Sequence, residues 1–357
     1  MKQRLTAAII GCGRMGAYTR PELAARLPKC WLPLNHAESL SSIDGIDLIA
    51  CCDPNRTAAE TAAQRYGIKA IYSDYQKLVA ETRPDIVTVA TRTQGRSDII
   101  RFAAENGVKA MHVEKPLCRN LAEGKNAADA VNNNNVAFSY GTLRRYIESY
   151  RYALAVVRSG DIGDLVQIIV KHGRTNLLWS HPHSVDIINF FAGDVEVEYV
   201  QATMEMNSES FQSNFVDADP IVEQAFIKFK NGMSGVITSA AGLSVEIACT
   251  KGGIVVAADG SWLEIRKPIP GTSSAYYTSD TTLHYTCGLS GTQAAITELR
   301  DALTLGAKPS LTIDHALYNQ RILFGFVLSH MNGGLRFNIK DIADDFTVTG
   351  RMGELYA

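Results

Sequence analysis

Three glycines directly after a short apolar run constrain the fold of this chain more than any other feature. The run covers residues 6–10, and the glycines are Gly11, Gly13 and Gly16. A short apolar run is typical of a buried strand. After it, we expect Gly11 to allow a tight turn, Gly13 to let backbone approach a pyrophosphate, and Gly16 to let a helix pack close to the strand. The N-terminus of that helix stabilises phosphate charge. The pattern therefore predicts the first unit of a dinucleotide-binding domain.

Short apolar segments alternate with helical stretches over the first 140 residues. The predicted strands are 6–10, 47–52, 70–72, 86–90, 109–113 and 136–140. Strands separated by helices form a parallel sheet that is covered on both faces. We therefore predict an α/β Rossmann domain, with a doubly wound parallel sheet, over residues 1–140.

After Gly141 the pattern changes to longer strand-like segments that follow one another directly. The predicted strands are 165–172, 196–206, 222–229, 233–239, 244–250 and 253–258, and the predicted helices are 150–159, 184–191, 292–305 and 314–330. Strands without helices between them favour an antiparallel sheet. We predict a second, α+β domain with a mainly antiparallel open sheet over residues 141–357.

Composition and charge exclude several classes of partner. The chain has 357 residues, 46% of them hydrophobic, and a formal net charge of −2. This length favours two domains, and the charge leaves no basic surplus for nucleic acid or a polyanionic membrane. No run of about eighteen apolar residues and no leader with a cleavage site is found, so export and membrane insertion are not expected. Seven cysteines without paired spacing are expected to be reduced thiols of a cytoplasmic protein.

Asp53 ends the second predicted strand. A carboxylate at this position can accept hydrogen bonds from both ribose hydroxyls of the adenosine half, and it repels the 2′-phosphate of NADP. NAD is therefore the expected cofactor, and NADP is less favoured. Arg56 lies near enough in sequence to soften that preference, and a simple turn aspartate before Pro54 is the alternative interpretation.

The distance between Asp53 and Gly16 exceeds the ~20 residues that usually separate these positions. The excess is residues 18–35, and three prolines prevent them from forming one continuous helix. We expect an insertion at the cofactor end of the sheet, which acts as a lid or as an assembly surface.

Glu114-Lys115-Pro116 follows the fifth predicted strand. Together with the glycines, Asp53 and residues 85–91, it resembles the Gfo/Idh/MocA family, the glucose-fructose oxidoreductase and inositol dehydrogenase group. The similarity continues through residues 159–163 and 182–186. The resemblance implies an NAD-dependent oxidoreductase that oxidises or reduces a secondary hydroxyl or ketone of a sugar, polyol or glycoside by hydride transfer. It also implies that the second domain binds substrate and forms a homodimer or homotetramer through its sheet.

The resemblance assigns two catalytic residues. Lys115 would hydrogen-bond the reacting oxygen, where a cation stabilises developing alkoxide and steers the proton. His183 would act as the acid/base, since imidazole exchanges protons near neutral pH. An exposed loop lysine and a capping or core histidine are the alternative interpretations.

Further site residues follow from the same comparison of motifs. The expected cofactor-binding residues are Gly11, Gly13, Arg14, Met15, Gly16, Asp53, Thr91, Glu114 and Lys115. The candidate substrate-binding residues are Arg92, Arg96, Arg145, Trp179, His181 and Asp186.

Two departures from the family pattern stand out. Trp179 occupies the position, four residues before His183, at which the family commonly has aspartate, and His181 or Asp186 is the candidate to replace it. Trp179 itself can stack on a sugar face.

The second departure is a pair of arginines where the family has Pro and His. Arg92 and Arg96 suggest an anionic group on the substrate, unless they pair with local carboxylates. Arg145 either reaches substrate from the domain junction or forms a salt bridge there.

Metal binding is not expected, because His181-Pro182-His183 has no third ligand at a recognisable spacing. Two other functions remain open. One is a hydrolase or lyase that retains NAD and oxidises its sugar transiently. The other is a weakly catalytic dinucleotide-binding sensor, which the missing aspartate suggests.

Overall fold

The first sheet of the computed structural model, which describes residues 4–269, 277–284 and 288–350, contains six strands. They are β1 (Leu5–Ile10), β2 (Ile46–Cys52), β3 (Ala70–Tyr72), β4 (Ile86–Val89), β5 (Ala110–Val113) and β6 (Ala137–Tyr140). Their order is β3-β2-β1-β4-β5-β6, and all neighbours are parallel. The order reverses between β1 and β4, and at such a point the carboxyl ends of the strands border a ligand-binding crevice. The predicted Rossmann sheet is confirmed.

Helices cover both faces of this sheet. They are α2 (His36–Ser42), α3 (Arg56–Tyr66), α4 (Tyr75–Thr82), α5 (Arg96–Glu105) and α6 (Leu121–Asn133), whereas the short helix α1 (Pro21–Ala24) has no buried residue. Every residue of β4 and β5 is buried, as a strand covered on both faces requires.

The helix that should follow β1 is interrupted after its first turn. The amide of Ala17 donates to the carbonyl of Gly13 at 2.8 Å, which closes that turn. The chain then leaves, and α2 resumes the helix on its return, with the amide of His36 donating to the carbonyl of Met15 at 2.8 Å. Residues 18–35 are therefore an excursion from one helix.

The hydrogen bonds across the gap give the length of the insertion. In an unbroken helix the carbonyl of Met15 would accept from residue 19. His36 takes that place, so 17 residues have been added. Without them Asp53 would follow Gly16 at about the usual 20 residues, which explains the abnormal spacing in the sequence.

The second part of the chain forms a larger, mixed sheet. Its strands are β7 (Leu165–Lys171), β8 (Thr175–Asn176), β9 (Val197–Glu205), β12 (Ile221–Phe229), β13 (Ser234–Thr238), β14 (Ser244–Cys249), β15 (Gly252–Ala257), β16 (Trp262–Pro268) and β17 (Tyr277–His284). A small sheet holds β10 (Phe211–Gln212), β11 (Phe215–Val216) and β18 (Thr347–Val348). The large sheet has the order β17-β16-β15-β14-β7-β13-β12-β8, and β9 also pairs with β12. Only its β7–β13 pair is parallel among the described strands, so the mainly antiparallel prediction is confirmed. Strands β16 and β17 were not predicted.

Five helices accompany the second sheet. They are α7 (Glu148–Ser159), α8 (Leu177–Ser180), α9 (Pro182–Ala192), α10 (Gly291–Leu305) and α11 (Ile313–Met331). Helices α9 and α11 pack on the large sheet, whereas α10 packs against β5 and β6 of the first sheet. The boundary at residue 140 therefore stays a prediction, since later residues complete the first core. The longest described helix, α11, has 19 residues, and none of the described helices combines the length and apolar character needed to span a bilayer.

Candidate active site

The glycine turn after β1 has the geometry that a pyrophosphate site requires. Gly11 has φ +96°, and a Cβ there would lie 2.7 Å from the carbonyl carbon of Ala90. A Cβ on Gly16 would lie 1.8 Å from the oxygen of Gly11. At Gly13 nothing lies within 4 Å of the Cβ position, so the backbone there faces open space. Two glycines thus serve close packing and the middle one leaves room for a ligand, which fits the dinucleotide assignment.

Asp53 lies beside this turn at the end of β2. Its carboxylate accepts from the amide of Cys12 at 2.8 Å and from the amide of Asn55 at 2.8 Å. A carboxylate has about four acceptor sites, so two remain for ribose hydroxyls. The exposed Arg56 pairs with Glu60 at 2.7 Å, so the residue expected to soften the preference for NAD is engaged elsewhere.

Lys115 follows β5, and its peptide bond to Pro116 is cis. Its Nζ donates to the carbonyl of Trp179 at 2.6 Å and lies 4.3 Å from the centroid of the Trp179 ring. Burial lowers the pKa of Lys115 from 10.5 to about 8, although the charge of Glu114 opposes this shift. A lysine with such a pKa can act at neutral pH both as an ammonium donor and as an amine base.

Glu114, directly before Lys115, stabilises the charged form of the lysine. It is 4% exposed, and its Oε1 lies 3.4 Å from Nε2 of His36 on α2. Burial opposes its ionisation, but the hydrogen bond and charge of His36 and the charge of Lys115 hold its pKa at about 2. A Cβ on Gly141 would lie 2.7 Å from Oε1, so glycine is needed there. The predicted contact of Glu114 with the cofactor stays a prediction.

The residues that come nearest to a metal site are His36, His112 and Glu114. Among the described residues they are the only such group, with ligand atoms within 4.8 Å of one another. Tetrahedral zinc with bonds of about 2.1 Å needs ligand atoms about 3.4 Å apart, so this group is too open. His112 Nδ1 also bonds Ser139 Oγ at 2.8 Å. Among the described residues, His36 Nδ1 and His112 Nε2 have no hydrogen-bond partner. A buried water can satisfy such atoms, so they do not by themselves indicate a metal ion.

His183 lies in the first turn of α9, close to Lys115. Burial lowers the pKa of its imidazole well below the ordinary value, and the positive charges of Arg144 and Lys115 lower it further. The direction of this shift favours the neutral ring, and the predicted acid/base role of His183 stays a prediction. Among the described residues its Nδ1 is buried without a hydrogen-bond partner, and the rings of His183 and Trp31 pack in a T-shaped arrangement with their centroids 5.9 Å apart.

His181 does not face a substrate. It is fully buried, and its Nδ1 lies 3.1 Å from Oγ of Ser184, which also contacts His172 Nδ1 at 3.0 Å. Burial lowers the pKa of His181 to about 4. The structure thus gives His181 a role in packing beneath the site, contrary to the prediction from sequence.

Asp186 and Arg145 form a buried ion pair. Asp186 is fully buried and accepts from Arg145 Nε at 2.8 Å, Arg145 Nη2 at 2.7 Å and Asn319 Nδ2 at 2.8 Å. Arg145 also donates to the carbonyl of Ser310 at 3.0 Å. All of these groups are satisfied internally, so the predicted substrate contacts of Asp186 and Arg145 are corrected to a structural pair at the domain junction.

The two arginines after β4 differ in environment. Arg96 is 2% exposed and donates to the carbonyl of Glu114 at 2.7 Å and to the carbonyls of Pro116 and Thr91. It therefore fixes the segment that carries Lys115 and does not bind substrate. Arg92 is exposed, and its contact with an anionic substrate group stays a prediction.

Asp219 places a carboxylate near Lys115. Its two oxygens accept from the amides of Leu178 and Trp179 at 2.7 Å and 3.1 Å, and its charge raises the pKa of Lys115. Neither His181 nor Asp186 has this role. Asp219 comes from the loop before β12, where no motif marks it.

Trp179 links the two sequence halves at the site. Besides Lys115, the guanidinium of Arg14 in the glycine turn lies 5.6 Å from its ring centroid. Arg14 is thereby placed at the crevice, and Met15 packs against the core of the second domain. The ring of Trp179 is half-buried, so part of it remains available to a ligand.

Comparison with known proteins agrees with this geometry. Residues 5–142 match the model of the Gfo/Idh/MocA family, described as an oxidoreductase family with an NAD-binding Rossmann fold. Scyllo-inositol 2-dehydrogenase (NAD(+)) of Bacillus subtilis is 27% identical over 276 residues, which cover 72% of this chain and 75% of that protein. Inositol 2-dehydrogenase of Salmonella typhimurium is 27% identical over 172 residues, 48% of this chain and 45% of that protein.

Solved structures share the fold over nearly the whole chain. An oxidoreductase domain protein from Kribbella flavida has a TM-score of 0.76 at 18% identity and covers 94% of this chain and 99% of its own. Levoglucosan dehydrogenase in complex with NADH and levoglucosan has a TM-score of 0.73 at 19% identity and covers 94% of this chain and 100% of its own. These similarities support a Gfo/Idh/MocA-type oxidoreductase, with an NAD-binding Rossmann domain over residues 5–142.

Replacing Trp179 with the family residue should not improve the enzyme. We expect Trp179→Asp to lower turnover about tenfold, because it removes the aromatic face over which Lys115 lies and opens a void. Trp179→Phe keeps an aromatic face and is the matched control, with a loss of a few-fold. Turnover measured against pH decides the matter, and a gain in Trp179→Asp would show that the native site is impaired and would favour a sensor.

Proposed function

We propose that the protein catalyses reversible, NAD-dependent oxidation of a secondary hydroxyl of a sugar, polyol or glycoside. The observation that carries this proposal is Lys115, held at the NAD-binding crevice against Trp179 of the second domain with a pKa near that of a physiological base. The inositol and levoglucosan dehydrogenases among the relatives support the substrate class.

In this proposal Lys115 binds the reacting oxygen. As an amine it accepts the hydroxyl proton, and as an ammonium it stabilises developing alkoxide. Asp219 and Glu114 favour its charged form, whereas burial favours the neutral form, so both forms are accessible. His183, neutral and half-buried, offers a hydrogen bond to the same oxygen or its neighbour. Gly13 and Asp53 would hold NAD, which would supply the hydride acceptor.

Incubation with NAD and a panel of cyclitols, aldoses and glycosides tests the proposal. NADH that accumulates in proportion to oxidised product supports a dehydrogenase. Product without net NADH would instead indicate a hydrolase or lyase that oxidises its sugar transiently. Binding of NAD without turnover of any compound would indicate a sensor.

The cofactor preference should be large. We expect NAD to bind roughly tenfold to a thousandfold more tightly than NADP, because a 2′-phosphate would meet the carboxylate of Asp53. Calorimetric titration of both cofactors measures the ratio. Asp53→Asn should bring the two affinities together, and Arg56→Ala should change little, since Arg56 pairs with Glu60. Equal affinities in the wild type would contradict this assignment.

The pH dependence of oxidation should follow Lys115. With the pKa of Lys115 lowered to about 8, the amine base is scarce at pH 6 and predominant above pH 8. We therefore expect kcat/KM for oxidation to rise about tenfold per pH unit up to about pH 8 and then level off. Lys115→Arg should remove this inflection because arginine stays protonated, whereas His183→Asn should retain it at lower activity. An inflection that persists in Lys115→Arg would assign it to another group.

We also propose a cytoplasmic homodimer or homotetramer. The six cysteines within the described residues are buried and form no disulfide, which suits a reducing compartment. Helices cover one face of the large sheet, and the other face carries half-buried residues such as Ile169, Tyr199 and Phe226. Light scattering after gel filtration measures the assembly, and a strictly monomeric protein would contradict it.

A further inference from the structure

Three buried side chains behind His183 form a cluster that we call the Trp31 cluster. Its members are Trp31, Arg144 and Asp259, which are 7%, 6% and 7% exposed. Trp31 comes from the insertion, Arg144 from the 3₁₀ turn after β6, and Asp259 from the turn between β15 and β16. The cluster therefore joins three segments that are distant in the sequence.

Each member of the Trp31 cluster touches the other two. Trp31 Nε1 donates to the carbonyl of Asp259 at 3.0 Å, and Arg144 Nε donates to its carboxylate at 2.7 Å. The guanidinium of Arg144 lies 5.2 Å from the ring centroid of Trp31. Because these contacts form a closed set, the Trp31 ring has little freedom to move.

The backbone of Asp259 is also unusual. Its φ is +54°, in the left-handed region, although it is buried and not a glycine. A residue of this kind persists only where the surrounding structure holds it, and such residues concentrate at functional sites.

The insertion is fastened to the second half of the chain on its other side as well. Ser290 Oγ donates to the carbonyl of Pro33 at 2.7 Å, and Thr292 Oγ1 donates to the carbonyl of Leu34 at 2.8 Å. Both hydroxyls lie at the start of α10. These anchors favour a fixed element of the site over a lid.

His183 needs such an element. The carboxylate that could orient it is replaced by Trp179, and its Nδ1 has no hydrogen-bond partner among the described residues. The second side-chain torsion of histidine has broad preferences, so packing must set the ring orientation. The Trp31 ring forms a T-shaped pair with this ring, with the centroids 5.9 Å apart and the two planes at 65°.

We propose that Trp31 is a positioning residue for His183 and that the Trp31 cluster takes over the orienting role of the missing carboxylate. The cluster fixes Trp31, and Trp31 fixes the imidazole so that Nε2 is the ring nitrogen available to substrate. The insertion is thus part of the active site. This inference rests on the proposed function, in which His183 contacts the substrate.

Nuclear magnetic resonance of protein labelled with ¹³C at histidine Cε1 tests the proposal, with His183 assigned by the loss of its signal in His183→Asn. The wild type should show a nuclear Overhauser contact between His183 and the Trp31 ring, and its His183 midpoint should lie well below the ordinary value. Trp31→Leu admits water, so the His183 midpoint should rise by about one pH unit or more toward the ordinary value of about 6.5.

Two further variants show how large a change in the His183 midpoint is meaningful. Trp31→Phe keeps an aromatic edge and loses only the bond to Asp259, so we expect a midpoint within about half a unit of the wild type. Trp262→Phe, a tryptophan replacement on β16, is the matched control and should leave His183 unchanged. On a substrate found in the panel, Trp31→Leu should lower kcat about tenfold or more with KM within a few-fold.

An absent contact between Trp31 and His183 in the wild type would overturn the proposal, and so would an unchanged midpoint in Trp31→Leu. If Trp31→Leu does not fold, the wild-type contact decides. A panel without any turnover would remove the proposed function but leave the resonance measurements valid, so the two failures are distinguishable.

Discussion

Lys115→Met should lower kcat about a hundredfold or more while leaving NAD affinity within a few-fold. Methionine preserves length but can neither donate to the reacting oxygen nor accept its proton, and positioned acid–base groups contribute about 10²–10⁴. The glycine turn and Asp53, which hold NAD in our proposal, are untouched. Stopped-flow turnover at saturating NAD and calorimetric NAD binding measure the two effects.

Lys109→Met is the matched control for this experiment. Lys109 directly precedes β5 and pairs with Asp85 at 2.7 Å on an exposed surface, so its loss should leave turnover unchanged within about twofold. If Lys115→Met instead abolished NAD binding and retained turnover at saturation, the role assigned to Lys115 would be wrong.

Asp186→Leu should lower the free energy of unfolding by roughly 3–5 kcal/mol, because it leaves the guanidinium of Arg145 buried without its anion. Thermal and guanidinium unfolding measure the loss. The double variant Arg145→Met with Asp186→Leu should lose less than Asp186→Leu alone, since removing both charges spares the cost of an unpaired one.

The same variants test the interpretation of Asp186 as a structural residue. A substrate role predicts a raised KM with unchanged stability in Asp186→Leu. A structural role predicts lost stability, which the second substitution partly recovers. An unaltered melting temperature would therefore restore the prediction made from sequence.

Local patterns were enough to predict the first sheet. The run before Gly11 became β1 (Leu5–Ile10), and the glycine turn follows it as the pattern predicts. These features depend on neighbouring residues, so a single sequence contains the information. The prolines of residues 18–35 showed that the helix breaks, but not that it resumes in register at His36.

The charged residues that were wrongly predicted to bind substrate are all buried in the structure. Arg96, Arg145 and Asp186 look functional in sequence because charged residues are seldom buried without a partner. Each has its partners inside the fold, and those partners come from other elements. Nothing in a sequence distinguishes this case from a charge that faces a crevice.

The site residues that sequence reasoning missed reach the site through contacts between distant parts of the chain. Asp219 acts on Lys115 from a loop about a hundred residues later, and Trp31 contacts His183 from about 150 residues earlier. Loop conformation sets both contacts. The odd spacing before Asp53 was the one signal that could have drawn attention to Trp31.

Because the helix resumes at His36, sequence changes in the excursion and sequence changes at the cofactor end can occur independently as related proteins diverge. Since the bond from His36 to Met15 restores the register, residues between them can lengthen, shorten or exchange without shifting the glycine turn relative to Asp53. The cofactor end is thereby insulated from variation in the excursion, which can alter the opposite wall of the crevice independently. If the helix after β1 broke one turn later, changes in the excursion would also affect the cofactor end. If it broke one turn earlier, the backbone amides expected to bind phosphate would be lost.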